Sequence, residues 1–269
     1  LVDVTMLDIL QFTFIQNALI SGILVSIAVG VVGSLIVVNK MTFLAGGIAH
    51  SSYGGIGLAI FFGFPILFGT TAFALLCAGL IAFLTIKRRE RIDALIGVIW
   101  AGGMAIGIML VDMTSGYNVD LMSYLFGSIL AVSNTDIWFI FCVDLFIIGS
   151  VVLFYKELLA VSYDSEFASL RGINVKFFYT LMLVLSALSV VAAISVVGLI
   201  LVIALLTIPT FISESYFNKL SYIMISSVLL AIIFTVIGLI LSYYYDLSSG
   251  ASIIMVAVLT LLVSKVIKR

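Results

Sequence analysis

Charged side chains are scarce in this sequence. Asp, Glu, Lys and Arg make up 9% of the 269 residues, whereas 64% of the residues are hydrophobic. A soluble domain carries about a quarter charged residues, so this composition indicates a polytopic membrane protein. The net charge of −1 and the lack of a basic stripe also argue against binding to nucleic acid. Composition therefore indicates the class of protein, but it does not say what crosses the membrane.

Few side chains could act as metal ligands or nucleophiles. The two cysteines, Cys77 and Cys142, lie in apolar runs, which argues against a disulfide framework and favours buried small side chains. The single histidine, His50, has no serine or cysteine partner at the spacing of a hydrolase. No G-x-x-x-x-G-K-S/T phosphate loop occurs, so ATP-driven work would need a separate subunit that binds the nucleotide. We therefore do not expect an enzyme.

Long apolar runs, by contrast, fill the chain. Runs of roughly 18 or more mostly apolar residues are long enough to cross a bilayer as helices. They lie near residues 14–38, 42–62, 65–86, 94–113, 136–154, 177–194, 196–213, 220–243 and 250–266. The sequence thus predicts an all-α, polytopic membrane bundle of eight or nine spans, formed as a single domain over residues 1–269. The eight-span alternative merges 177–194 and 196–213 into one crossing.

Positive charge predicts the orientation of these spans, because Lys and Arg concentrate in cytoplasmic loops. With nine spans and the N-terminus outside, all 12 basic residues and the C-terminus fall on the cytoplasmic side. The outer side then carries acidic residues without Lys or Arg, namely Asp3, Asp8, Asp112, Asp120, Asp136 and Asp246. The segment before the first run has no positive charge, which argues against a signal peptide.

Two connections are longer than simple turns. Residues 114–135 are too apolar for an ordinary loop, which predicts a partly inserted or surface-lying outer segment. Residues 156–176 form the longest polar stretch. There Asp164 can cap a short helix that Gly172 ends. A short helix presented between two spans is typical of a docking element, and a solvated linker is the alternative.

His50 lies within a cluster of glycines, GGIAHSSYGGIG. On a helix, Gly46, His50 and Gly54 share one face, with Gly47 and Gly57 beside it. Small residues four apart let a neighbouring helix approach closely, so the imidazole is expected to point into a helix seam. Neutral imidazole is the commonest metal ligand, and ionisable residues inside membranes are functional candidates. The alternative is a polar tie to a backbone carbonyl of another helix.

Three further polar residues lie in or near the spans. Asp144 is a carboxyl near the middle of a span, where it can line a cation path, pair with His50, or bind a proton against a neighbouring helix. Asp112 lies near the outer end of its span and is either a metal ligand at the mouth of the path or an interface residue. Asn17 lies one turn into the first span and is expected to hydrogen-bond across helices.

Five stretches carry a resemblance that runs in order through nearly the whole chain. They include the His-centred run and the run SYLFGS, and they lie at residues 17–59, 96–110, 120–137, 196–210 and 241–255. Each alone is weak because it is apolar, but their order and spacing are specific. Together they resemble the permease subunits of bacterial ABC importers for zinc, manganese and iron, the ABC-3 family.

This resemblance implies a type II-like ABC importer permease in a bacterial or archaeal cytoplasmic membrane, surrounded by lipid. Such permeases pair as homodimers around a translocation path, and an extracytoplasmic metal-binding protein delivers the ion. Each subunit docks a cytoplasmic ATPase through a short coupling helix; residues 164–173 look like that helix, with Asp164, Glu166, Ala168 and Gly172 as candidate coupling residues. The cargo would be Zn, Mn or Fe, with no permanently bound cofactor and ATP acting through the partner. The implied mechanism is alternating access.

One departure from the family pattern affects the predicted metal path. The family's segment commonly reads G-D-x-L-S-H-A; its histidine corresponds to His50, and this chain has Gly46 where the acidic residue often lies. Either Asp144 or Asp112 takes the acidic role, or the site is weaker. Loss of an oxygen ligand favours zinc slightly over manganese, because oxygen ligands suit Mn and imidazole suits Zn.

Three other functions compete with a metal-ion ABC permease. A permease of the siderophore or vitamin B12 type would have a wider cavity for a metal chelate, but its chains are usually longer. A stand-alone, proton-coupled carrier would use His50 and Asp144 as its relay, and an uncoupler would abolish its uptake. A membrane scaffold or sensor would move no cation.

Overall fold

The structure is a computed structural model that describes residues 12–87, 92–114, 127, 129–199 and 202–268. Within those ranges all regular structure is helical, and it consists of α-helices and one 3₁₀ turn at Ile129–Ala131. The prediction of an all-α fold is confirmed.

The helices follow the apolar runs of the sequence. In chain order they are α1 (Thr13–Val38), α2 (Thr42–Ser51), α3 (Tyr53–Phe62), α4 (Ile66–Lys87), α5 (Ile92–Asp112), α6 (Asn134–Leu153), α7 (Tyr155–Tyr163), α8 (Ser165–Leu170), α9 (Val175–Val197), α10 (Val202–Tyr216), α11 (Leu220–Tyr245) and α12 (Ser249–Ile267). In the described part of the chain, seven of them are long and apolar enough to cross a membrane: α1, α4, α5, α6, α9, α11 and α12.

The run at 42–62 is divided into two ten-residue helices, α2 and α3, with a break at Ser52. The hydroxyls of Ser51 and Ser52 each donate a hydrogen bond to a carbonyl three residues earlier, in Ile48 and Ala49. Such bonds compete with the helical pattern of the backbone and bend helices. The break lies two residues after His50, at the second of these serines.

The predicted boundary between the runs at 177–194 and 196–213 lies at a real helix end. Helix α9 continues to Val197, and Gly198 then adopts a φ of 84°, a conformation that glycine enters without steric cost. Helix α10 has 15 residues, which at about 1.5 Å per residue gives roughly 22 Å, less than the roughly 30 Å of a bilayer core. The two runs are thus separate helices, and α10 is short for a crossing.

The chain forms two compact units. One comprises residues 1–31, 121–146 and 192–269, and the other comprises residues 32–120 and 147–191. The helices α1, α6 and α9 each contribute to both units.

Close packing holds the first unit together. The hydroxyls of Ser26 on α1 and Thr235 on α11 lie 3.1 Å apart, so a buried hydrogen bond joins these two helices. A Cβ atom added at Gly238 on α11 would lie 2.5 Å from the Cα atom of Ile253 on α12. This glycine therefore allows α11 and α12 to pack backbone against backbone.

Glycines also hold the second unit together, where α3 packs against α5. A Cβ added at Gly54 would lie 2.8 Å from the carbonyl oxygen of Gly103, and one added at Gly57 would meet the carbonyl oxygen of Gly107. Pairs of glycines thus face each other across the two helices, which lets their backbones approach closely. We call this contact the glycine seam.

The polar stretch at 156–176 forms the two short helices α7 and α8. The Asp164 carboxylate accepts a hydrogen bond of 2.9 Å from the backbone N–H of Phe167, which is the geometry of an N-cap. After α8, Gly172 has a φ of 81°, and Ile173 donates a backbone hydrogen bond to Ala168. The predicted cap and stop of this helix are both confirmed.

The predicted outer segment at 114–135 falls mostly outside the described residues. At its described end, Ile129 is fully buried, and its backbone N–H donates a 3.3 Å hydrogen bond to the hydroxyl of Ser249. This end of the connection is therefore covered by protein, at the start of α12.

Candidate functional site

His50 occupies the last turn of α2 and is half-buried. Its ring stacks on the indole of Trp100 on α5, with centroids 4.2 Å apart and planes 5° from parallel. The Nδ1 atom is buried, and no described residue offers it a hydrogen-bond partner. The imidazole is therefore held by stacking and not by a hydrogen bond at this nitrogen.

Trp100 is itself fixed in place by its neighbours. Its indole Nε1–H donates to the sulfur of Met104, one turn further along α5, at 3.0 Å. The ring of Phe43 lies 6.4 Å from the indole in a tilted arrangement. Sequence reasoning missed Trp100. The available signal was its place in the middle of a span, because membrane tryptophans usually lie at the interfaces.

The buried glycines around His50 bring α2 against α5. Gly46 lies one turn before His50 and is buried. A Cβ added at Gly47 would meet the side chain of Ile96 on α5, and one added at Gly103 would lie 2.7 Å from the Cα of Ser51. The helix that carries His50 is thus in contact with the helix that carries Trp100, and this contact fixes the stack.

Asp112 lies at the far end of the same helix as Trp100. It is exposed, and it follows Trp100 by twelve residues on α5, which is about 18 Å along the axis at 1.5 Å per residue. Because Trp100 stacks on His50, Asp112 lies too far away to share one ion with His50 of the same chain. It does not replace the carboxylate missing at Gly46. Both predicted roles, a ligand at the mouth of the path and an interface residue, stay predictions.

Asp144 and Asn17 belong to the other compact unit. Asp144 on α6 is 3% exposed, and neither of its carboxyl oxygens has a hydrogen-bond partner among the described residues. The amide of Asn17 on α1 donates to the side-chain oxygen of Asn134, at the start of α6, at 3.2 Å. Asn17 therefore makes the expected bond across helices, whereas Asp144 remains an unpaired polar group inside a span.

No cluster of three or more His, Cys, Asp or Glu side chains placed to hold a metal occurs in the part of the chain that the structure describes. The candidate ligands His50, Asp112 and Asp144 are dispersed over α2, α5 and α6.

The short helix α8 has one buried and one exposed side. Ala168 is fully buried, whereas Phe167 and Leu170 are 48% and 87% exposed. The guanidinium of Arg171 lies 4.8 Å from the centre of the Phe167 ring. Ala168 therefore packs inward, and the surface available to a partner consists of Phe167, Leu170, Arg171 and the exposed Glu166. In the sequence, Phe167 and Leu170 could have been recognised as one exposed apolar face, because they lie three residues apart on a polar helix.

Comparison with known proteins identifies the family. The model of the ABC 3 transport family matches residues 11–268. The uncharacterized membrane protein slr2045 of Synechocystis is 46% identical over 98% of this chain and 94% of its own length. The manganese transport system membrane protein MntC of Listeria monocytogenes is 33% identical over 93% of this chain and 89% of its own.

A solved structure agrees with this assignment. PsaBC from Streptococcus pneumoniae, in complex with Fab, superposes with a TM-score of 0.86 at 32% sequence identity and covers 96% of this chain and 93% of that chain. The resemblance expected from the motifs is confirmed: the chain is a membrane protein that belongs to the ABC 3 transport family.

Proposed function

We propose that the chain is the membrane permease subunit of an ATP-driven importer of a divalent transition-metal ion. The observation that carries this proposal is the imidazole of His50, which stacks on Trp100 and whose buried Nδ1 has no partner among the described residues. Family membership and the manganese named for the Listeria relative support a metal as cargo. Membership of an ABC family also argues against a stand-alone carrier.

In this proposal His50 contributes an imidazole ligand to a transient site on the path. A conduit must bind an ion strongly enough to replace its water and weakly enough to release it. One imidazole from each of two subunits in a homodimer gives such a sparse site. An extracytoplasmic binding protein delivers the ion to the outer face, where Asp112 is the proposed first ligand. Asp144 is a second candidate ligand in the membrane.

The exposed surface of α8 is the proposed docking site for a cytoplasmic ATPase. Apolar side chains on a short polar helix are typical of a contact that is buried in an assembly. Contacts within one unit connect α8 to the helix of His50. Ser162 on α7, the helix before α8, accepts a 2.8 Å hydrogen bond from the amide of Asn39, which lies just before α2. Movement of α8 and α7 on ATP binding would thus shift α2, which gives alternating access at His50.

The preference for one metal follows from the ligands available to His50. Gly46 supplies no oxygen ligand one turn away, which favours zinc slightly over manganese. The name of the Listeria relative favours manganese for that protein. The cargo is therefore proposed as Zn, Mn or Fe, with zinc as the expectation from the ligands.

Elemental analysis of cells in metal-poor medium tests this function. A deletion strain carries the wild-type chain, His50→Ala, His50→Phe or an empty vector, with equal amounts of protein in the membrane. We expect the wild-type chain to restore the cellular content of one metal. Cells with either variant should keep a content of that metal close to that of cells with the empty vector. Phe is the matched control, because it keeps a ring against Trp100 but has no nitrogen.

The outcomes separate the role of the histidine from the function of the chain. If His50→Phe restores uptake, the ring serves packing only and the metal path does not involve His50. If deletion of the gene changes the cellular content of no metal, in a strain that has no second importer, the chain is not part of a metal importer.

A further inference from the structure

A cavity lies in the unit formed by residues 32–120 and 147–191. Its volume is about 840 Å³, which is within the roughly 300–1,000 Å³ of small-molecule sites. Its walls come from the end of α1, the end of α4, the start of α9 and the short helices α7 and α8. Three helices that are long and apolar enough to cross a membrane begin or end there, so we expect the cavity at the membrane surface.

Hydrogen bonds fix the walls of this cavity. The amide of Asn39 donates to the carbonyl oxygen of Leu35 and to the hydroxyl of Ser162, both at 2.8 Å. On the other side, the hydroxyls of Thr85 and Tyr179 lie 3.0 Å apart. These hydrogen bonds join the end of α1 to α7, and α4 to α9. Side-chain contacts within the unit therefore fix the walls of the cavity.

The lining is rich in positive charge and hydroxyl groups. Lys40 and Lys176 both line the cavity from its exposed rim, and neither forms an ion pair with any described residue. Glu166 on α8 is the one carboxylate among the lining residues of the described chain. Ser162 and Ser169 add hydroxyls to the lining. Ammonium and hydroxyl donors in this combination suit the oxygens of a phosphate group.

The local backbone disfavours a lysine at both of these positions. Lys40 has a φ of 56° and follows the end of α1, where Met41 donates a backbone hydrogen bond to Ile36. Glycine is the residue that this left-handed position favours. Lys176 is the second residue of α9, and a cation in the first turn opposes the helix dipole. The concentration of Lys and Arg on the cytoplasmic side favours basic residues in these connections, but it does not require them at these two backbone positions.

We propose that this cavity binds the phosphate group of an anion, presented at the membrane surface as the headgroup of an anionic phospholipid. The phosphate lies between Lys40 and Lys176, with the hydroxyls as further donors. The apolar lining residues Val38, Met41 and Met182 suit the glycerol and first methylene groups of a lipid. Since α7 and α8 form part of the wall, a bound headgroup would hold the proposed docking helix in place. The site is separate from His50 and does not depend on the identity of the metal.

Binding of lipid to the purified full-length chain tests this site. Native mass spectrometry is used to titrate the chain with phosphatidylglycerol or with phosphatidylcholine. The variants are Lys40→Gly, Lys176→Gln and the two combined. We expect the wild type to prefer phosphatidylglycerol, and each substitution to weaken its binding about fivefold, because one lysine near an anionic headgroup contributes about 1 kcal/mol.

The chosen substitutions keep the fold. Glycine fits the backbone of Lys40, and removal of the charge of Lys176 relieves the helix dipole, so both variants should unfold at or above the wild-type temperature. The matched control is Lys265→Gln with Lys268→Gln. These lysines lie over the rings of Phe211 and Tyr216 in the other unit and do not line the cavity. The control pair should bind phosphatidylglycerol like the wild type.

Two further comparisons show whether the bound phosphate belongs to a lipid or is free, and whether the two lysines form the site. Sodium phosphate is compared with sodium chloride at equal ionic strength; if phosphate alone displaces the lipid, free phosphate also occupies the site. If phosphatidylglycerol stays bound in both salts, the lipid is the ligand. Equal binding by the wild type and the double cavity variant in every arm overturns the proposal. An equal loss in the control pair overturns it as well, because the effect is then one of general charge.

Discussion

At the scale of single residues, the most informative feature is a nitrogen without a partner. A buried polar atom that lacks a hydrogen bond costs about 1–3 kcal/mol, and the Nδ1 of His50 is such an atom among the described residues. The stack on Trp100 covers one face of the imidazole, while the lone pair of Nδ1 lies in the plane of the ring. This arrangement disfavours the polar tie to a backbone carbonyl at Nδ1, and the role of His50 as a metal ligand stays a proposal.

The residue one turn before His50 provides a test of metal choice. Gly46→Asp places a carboxylate on the same helix face as the imidazole, and oxygen ligands suit Mn whereas imidazole suits Zn. We expect the ratio of manganese to zinc taken up to rise at least severalfold, about 1 kcal/mol or more in relative affinity. Uptake of both metals by cells that express the variant gives this ratio.

The matched control for this change is Gly46→Asn, which has the same size and no charge. It should leave the ratio close to that of the wild type, although both variants add bulk at a buried position. If Asp and Asn give equal ratios at equal membrane levels, Gly46 does not face the ion path. In that case, adding His50→Ala to the Gly46→Asp variant should also leave the ratio of manganese to zinc unchanged.

At the scale of helices, the glycine seam and the contact of α2 with α5 hold His50 against Trp100. Small residues are needed there because membrane helices associate through close backbone packing and not through exclusion of water. The seam joins α3 to α5, and Gly103 also meets the backbone of Ser51 on α2. A side chain added at this point therefore has no flexible neighbour to displace.

Two adjacent glycines of α5 separate packing from helix propensity. A Cβ at Gly103 would lie 2.7 Å from the Cα of Ser51, whereas a Cβ at Gly102 has no heavy atom within 4 Å. Gly103→Ala should therefore destabilise the chain by about 1–3 kcal/mol through overpacking. Gly102→Ala should be neutral or stabilising by up to about 1 kcal/mol, since alanine favours a helix.

Thermal unfolding of the purified variants in one detergent measures this difference. Gly103→Ala should unfold at a lower temperature than the wild type, and Gly102→Ala at the same or a higher one. Equal unfolding temperatures for the two variants would show that α2 and α5 are not in backbone contact at Gly103.

At the scale of the whole molecule, the positions of the helices could be predicted from the sequence, but their contacts could not. Each span needs about 20 apolar residues in a row, and such runs are visible without a structure. The break at Ser52 falls inside an apolar run without proline, so the hydrophobic pattern does not report it. The stack of His50 on Trp100 joins residues that are fifty positions apart, so no local pattern reports it. The inward side of α8, with Ala168, likewise depends on packing.

The sequence left open whether the chain crosses eight or nine times, and these two arrangements differ in whether α9 and α10 cross separately. In the nine-span arrangement α9 leads outward and α10 returns, so Lys176 and Lys219 lie on the cytoplasmic side and Leu247, after α11, lies outside. Single cysteines at these three positions, in a chain with Cys77→Ala and Cys142→Ala, are labelled with a membrane-impermeant maleimide. We expect Leu247→Cys to react in intact cells, and Lys176→Cys and Lys219→Cys to react only after permeabilisation. Reaction of Lys219→Cys in intact cells, with protection of Leu247→Cys, would instead mean that α9 and α10 together cross once, since Lys219 and Leu247 flank a single 26-residue helix.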